Sequence, residues 1–229
     1  MGLIKFNEDI YYLPHESIND RPMLAYIFGE KFSVMVDAGN SKRHIETMYK
    51  ELASMNLPLP QYTIITHWHW DHTLGLNDIY GQSIVHKLTN KILREEIEKY
   101  NNEDYINQIK LINPCFNYEY EGIKTVFLKV GDIEFEGELT INLGNEILQI
   151  KHIESPHTID SVIINLEKNK ILFLGDATSE DYENDGYLDK GKLGKLINEI
   201  EISNCKYCML GHAEPLLKKD LLQYLYSLL

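Results

Sequence analysis

The chain has 229 residues, enough to bury a substantial core as one large domain or two fused halves. Hydrophobic residues make up 44% and charged residues 25%, which excludes a disordered chain, and 22 basic against 35 acidic side chains give a net charge of -13. That surface repels phosphate backbones, so the expected partner is a small-molecule substrate and not nucleic acid.

No run approaches the roughly 20 apolar residues of a membrane helix. Residues 1–6 lack the apolar stretch of a signal peptide, and three cysteines are too few and too odd in number for a disulfide framework. The expectation is a cytoplasmic protein with no membrane partner.

Along the chain, residues 23–28 and 32–37 read as strands around Gly29-Glu30, the second ending in Asp37-Ala38-Gly39-Asn40. Ser41 is a plausible N-cap for a helix to about Met55, with Ile45, Met48 and Leu52 on one face. Residues 62–66 and 83–86 are short strands, followed by a helix near 88–100. In the second half, 138–143 and 146–152 flank Gly144-Asn145 as a hairpin, and 161–166 and 171–174 form another pair. A helix near 191–202, a strand near 207–210 and a closing helix from about Pro215 complete the pattern.

Each half thus supplies strands with helices for one face. Two such sheets packed together give an α+β four-layer αββα sandwich. No repeat or linker marks a boundary, so residues 1–229 are expected to form a single domain. Residues 101–124 lack clear periodicity and carry Tyr105, Phe116, Tyr118 and Tyr120. They read as a loop or helical excursion, either a surface segment or a flap near the active site.

The chemistry concentrates in Thr66-His67-Trp68-His69-Trp70-Asp71-His72, directly after an apolar strand. His67 and His69, two apart in extended chain, point the same way and can grip one metal. Asp71 and His72 follow where a turn can aim them at a second. Imidazole with an added carboxylate suits zinc. Such a segment is incomplete for two ions, and strand ends elsewhere offer His157 in Ser155-Pro-His157-Thr158, Asp176 in Phe173-Leu-Gly-Asp176, and His212 in Leu210-Gly-His212.

Taken in order, these residues resemble the metallo-β-lactamase-fold hydrolases, whose hallmark is His-x-His-x-Asp-His followed by a His, an Asp and a His. The resemblance runs from Val36-Asp-Ala-Gly39 to His212. It implies the αββα sandwich with the site at one edge between the sheets. It further implies His67, His69 and His157 on a first metal, Asp71, His72 and His212 on a second, and Asp176 bridging. The implied cofactors are two divalent ions, zinc foremost, with iron or manganese as alternatives. The implied reaction is hydrolysis of a small ester, thioester or lactone by a bridging hydroxide, with Asp71 a catalytic candidate to orient it and shuttle its proton. Alternatives are a mononuclear iron oxygenase of persulfide dioxygenase type and a non-lactamase phosphoesterase.

His72 differs from the lactamase branch that has Arg there. With a single helix read after His212, a helical substrate domain of the glyoxalase II kind is not expected. Ser179 stands where lactone hydrolases carry Tyr, with Tyr182 just beyond. Cys205-Lys-Tyr-Cys208 reads as a helix-to-strand junction with Cys208 in the core, and His15, His44, His86 and His152 as structural or solvated.

Overall fold

A computed structural model describes residues 2–229. In chain order the first half contains β1 (Ile4–Lys5), β2 (Ile10–Leu13), β3 (Leu24–Ile27), β4 (Val34–Val36), α1 (Lys42–Ser54), β5 (Tyr62–Ile64), α2 (Trp70–Thr73), β6 (Gln82–His86), α3 (Lys87–Tyr100), α4 (Glu103–Ile112), α5 (Pro114–Glu119) and β7 (Ile133–Phe135). The second half contains β8 (Glu138–Asn142), β9 (Ile147–His152), β10 (Val162–Leu166), β11 (Ile171–Gly175), α6 (Lys190–Ile202), β12 (Tyr207–Leu210), β13 (Leu216–Leu217) and α7 (Lys218–Leu228).

The strands form two mixed sheets. A seven-stranded sheet runs β1-β2-β3-β4-β5-β6-β7, antiparallel up to β4 and parallel from β4 to β7. A six-stranded sheet runs β13-β12-β11-β10-β9-β8, with only β11 and β12 parallel. The inner faces meet in one apolar cluster that joins Ile10, Val34, Val36 and Ile64 to Leu148, Ile150, Ile164 and Phe173. Outside the first sheet, α1 packs Ile45, Met48 and Leu52 against Leu24, Tyr26 and Met35. Outside the second, Leu193, Leu196 and Ile197 of α6 and Leu221 and Leu225 of α7 cover Ile163, Leu172 and Leu174. The result is the expected four-layer αββα arrangement.

Local chemistry explains these elements. Ser41 caps α1 by accepting the His44 N–H at 3.2 Å, and Ile45, Met48 and Leu52 follow at the spacing of one helix face. Truncating Met48 or Leu52, both fully buried, to Ala costs ~2–5 kcal/mol. In β9 the buried Leu148 and Ile150 alternate with exposed Ile147 and Gln149, the period of a sheet with one solvated face. Residues 101–124, aperiodic in sequence, fold as α4 and α5, with Asn102 capping the first and Asn113 the second. The last helix begins at Lys218, after the two-residue strand β13, rather than at Pro215. No helix among the described residues is long and apolar enough to cross a membrane.

Candidate metal centre

The site forms where strand ends from both sheets meet. Thr66, just past β5, ties them together. Its N–H donates to Asp37 Oδ1 at 2.7 Å at the end of β4, and its carbonyl accepts the Val162 N–H at 2.7 Å at the start of β10. Two glycines permit the closest approaches. Gly175, with φ of +51°, precedes Asp176, and a Cβ there would lie 2.6 Å from Thr66 Oγ1. Gly211 precedes His212, and its Cβ would lie 2.1 Å from Asp176 Oδ1 and 2.9 Å from His72 Cε1. Larger residues at either position would push the ligand-bearing strand ends apart.

Seven side chains converge there in two groups. His67, His69 and His157 form one, and Asp71, His72, Asp176 and His212 the other, with the candidate ligand atoms of each group within 4.8 Å of one another. His157 Nε2 faces His69 Nδ1 at 2.9 Å. In the second group His212 Nε2 lies 3.0 Å from Asp71 Oδ2 and 3.3 Å from Asp176 Oδ2. His72 Nε2 lies 3.2 Å from Asp71 Oδ2 and 3.4 Å from Asp176 Oδ2. Asp176 Oδ2 also reaches to 3.9 Å from His157 Nε2, so this carboxylate stands between the groups. All seven residues selected from sequence are brought together.

The residues fit a divalent cation. His67 Nε2 and Asp176 Oδ1 are buried without a hydrogen-bond partner. Each such orphan costs ~1–3 kcal/mol unless something satisfies it. The far nitrogens are held from behind. His72 Nδ1 meets Asp37 Oδ2 at 2.8 Å, His157 Nδ1 donates to the Glu180 carbonyl at 2.7 Å, and His67 Nδ1 meets Thr66 Oγ1 at 3.1 Å. Fixing one ring nitrogen in this way sets the tautomer and frees the other as a ligand.

The comparisons with known proteins agree with this geometry. The family model described as metallo-beta-lactamase superfamily matches residues 20–206, which include six of the seven converging residues. The chain belongs to the metallo-beta-lactamase superfamily. Among solved structures, a metallo-beta-lactamase from Pontibacter korlensis aligns with a TM-score of 0.71 at 17% identity, covering 99% of this chain and 97% of that one. The DIM-1 metallo-beta-lactamase aligns with a TM-score of 0.68 at 21% identity, covering 99% and 95%. The sec-alkylsulfatase Pisa1 from Pseudomonas sp. aligns with a TM-score of 0.71 at 13% identity, covering 99% of this chain but 40% of that one. At such identities the likeness is one of fold. No curated protein matches in sequence.

Within this superfamily fold the two groups differ electrostatically. Burial and neighbouring imidazoles hold His67 far below the usual histidine range and His69 at about 3, so both are neutral. Burial also disfavours charge on His72 and His212, but Asp71 and Asp176 overcome it. His72 is raised well above its usual value and His212 to about 10. Burial would likewise raise Asp71 and Asp176, yet His72 and His212 hold both below the ordinary carboxylate range. The second group is therefore a set of mutually neutralising ion pairs.

A cavity of about 710 Å³ opens over both groups. Trp68 and Trp70, which interleave the converging residues, both line it; Trp68 packs on His69 at 4.6 Å and Trp70 on Phe116 of α5 at 5.1 Å. Tyr105 and Ile109 of α4 form a further wall. Behind that wall, the buried Glu119 carboxylate accepts from Ser41 Oγ, Arg21 Nη2 at 3.0 Å and Asn19 Nδ2 at 3.1 Å, which fastens α5 to the first sheet's side. Tyr182, 5.8 Å from the His157 ring, lines the cavity as well, beside the place that Ser179 leaves to a short side chain.

Several contributors escaped the sequence reading. Asp37 belongs to the strand-end signature, but its grip on His72 depends on β4 and α2 meeting in space; its φ of +63° is the local sign that the strand turns sharply. Asp20 lies 3.5 Å from His212 Nδ1, and His15 lines the cavity; neither sits in a motif. By contrast His86 and His152 stack on each other at 3.9 Å away from the cavity, and His44 is buried under Gly39, as structural residues.

Proposed function

We propose that the protein is a metal-dependent hydrolase that cleaves a small ester, thioester or lactone with two divalent ions, zinc foremost. The observation that carries this reading is the position of Asp176 Oδ2, within 3.9 Å of imidazoles from both ligand groups. His67, His69 and His157 would hold one ion and Asp71, His72 and His212 the other, with Asp176 shared.

When bound, such ions polarise a carbonyl oxygen and lower the pKa of water to near neutrality. The chain's own part is positional. Asp37, Glu180 and Thr66 lock the ligand rings, so the donor set is organised before substrate arrives. Asp71, whose Oδ2 lies 3.0 Å from His212 Nε2 and 3.2 Å from His72 Nε2, is placed to accept a hydrogen bond from the attacking water and orient it. Trp68, Trp70, Tyr105 and Ile109 offer apolar walls to the acyl part of the substrate and exclude bulk water from one side.

The test is metal content on protein purified without added metal, followed by hydrolysis of a panel of esters, thioesters and lactones by that preparation. Two ions per chain with turnover lost to a chelator and restored by zinc is the expected result. One iron per chain with oxygen uptake, or a fully loaded centre inert across the panel, would overturn it.

A further inference from the structure

Cys205 and Cys208 lie outside the metal centre, at the end of β12 opposite Gly211 and His212. Cys205 occupies the turn after α6 and Cys208 lies within β12, and although three residues apart their sulfurs are 3.9 Å from each other. Both are buried, Cys208 completely and Cys205 at 7% exposure. The Ser203 hydroxyl faces Cys205 Sγ at 3.1 Å. The Lys218 ammonium is fastened to the same turn through the Glu201 and Ser203 carbonyls, at 2.9 and 2.7 Å.

We propose that Cys205 and Cys208 form an oxidisable dithiol, a modification site at which a peroxide converts the pair to an intramolecular disulfide. The reading is independent of the metal chemistry. The Cys208 thiol, then Ser203 and Lys218 at the same turn, act against burial to hold the Cys205 thiol below the ordinary thiol range, which makes it the nucleophile, while Cys208 is pushed upward by its neighbour and by burial. Cys115 has no such surroundings; burial raises it and its thiol points at the Ser17 carbonyl.

The Cys205 thiolate attacks one peroxide oxygen, the O–O bond breaks, and the departing hydroxide takes a proton to become water. The Cys208 sulfur then attacks the sulfenic sulfur, the S–O bond breaks, and the Cys208 proton leaves with that oxygen as a second water. Two thiols lose two electrons and one hydrogen peroxide is reduced to two waters. To bond at about 2.05 Å the sulfurs close by roughly 2 Å, within reach of a turn residue meeting a strand residue. A turn with little exposed sulfur admits a small peroxide more readily than a bulky disulfide.

The full chain, treated with an equivalent of hydrogen peroxide, quenched with catalase, alkylated and digested with trypsin without reductant, tests this. Trypsin cuts after Lys206, between the two cysteines, so a disulfide leaves peptides 196–206 and 207–218 joined. The expected result is that joined species as the main product, separable by reductant, with two of the three thiols lost. Cys205→Ser should abolish it and leave Cys208 alkylatable. Unlinked alkylated peptides, Cys205 carried to the sulfinic acid without linkage, or pairing with Cys115 would each overturn the proposal, and the unsubstituted chain decides even if the variant does not fold.

Discussion

The two halves of the metal centre are built on opposite principles. His67 and His69 are neutral because burial and like neighbours forbid their charge, so these two rings present lone pairs. Asp71, His72, Asp176 and His212 instead hold one another as ion pairs, and a cation entering there must displace protons. A neutral imidazole cluster needs only convergence of backbone, whereas buried carboxylates need compensating charge at all times. Asp176 belongs to both arrangements, which makes it the place where the contrast can be broken.

The largest effect is expected there. If two ions share this carboxylate as proposed, Asp176→Ala removes several kcal/mol of charge compensation from both, which at 1.36 kcal/mol per decade is roughly a 10³-fold loss of turnover. Metal content measured by plasma emission should fall together with activity. Two tightly held ions in that variant would show that the carboxylate is not shared.

Next in size is the pH dependence of metal binding. His72 and His212 are raised, hence protonated near neutrality in the metal-free protein, and both must be neutral to act as ligands. Apparent affinity of that half should therefore rise by about tenfold per pH unit for each proton displaced, up to pH 10 or so for His212. His67 and His69, already neutral, add no protons. Calorimetry of zinc binding in buffers of different ionisation enthalpy counts the protons; one event with release and one with little sharpens the contrast, and equal release from both events contradicts it.

A smaller effect separates the halves from behind. Asp37→Asn loosens His72 without touching His69 or His157, and should weaken the second ion by about 10–100-fold while sparing the first. Competition with a chromophoric chelator reads both affinities. Equal weakening of both would mean that Asp37 acts through Thr66 and the β5 end instead of through His72.

Much of this was open to a reader of the sequence. The α1 face of Ile45, Met48 and Leu52, the β8–β9 hairpin and the seven converging side chains all carry local signals: periodicity, turn residues, and imidazoles at strand ends. Strands β1 and β13 were missed because two residues show no period, and β2, whose four residues are all buried, because it does not alternate; β7 was missed as well. Residues 101–124 were left open between loop and helix because α4 leaves Leu111 and Ile112 exposed and buries Ile106 alone, so no apolar stripe marks it.

The amino-acid order by itself determined which atoms can bind a cation, since ligand chemistry is a property of side chains and strand-end placement follows from short-range patterning. Only the tertiary structure decided how they divide into a neutral and an ion-paired half. That division depends on Asp71 and Asp176 standing beside His72 and His212 with Asp37 behind His72, and on Gly175 and Gly211 letting the two sheets close to contact. Burial and through-space charge, which set protonation, exist only once those distances exist.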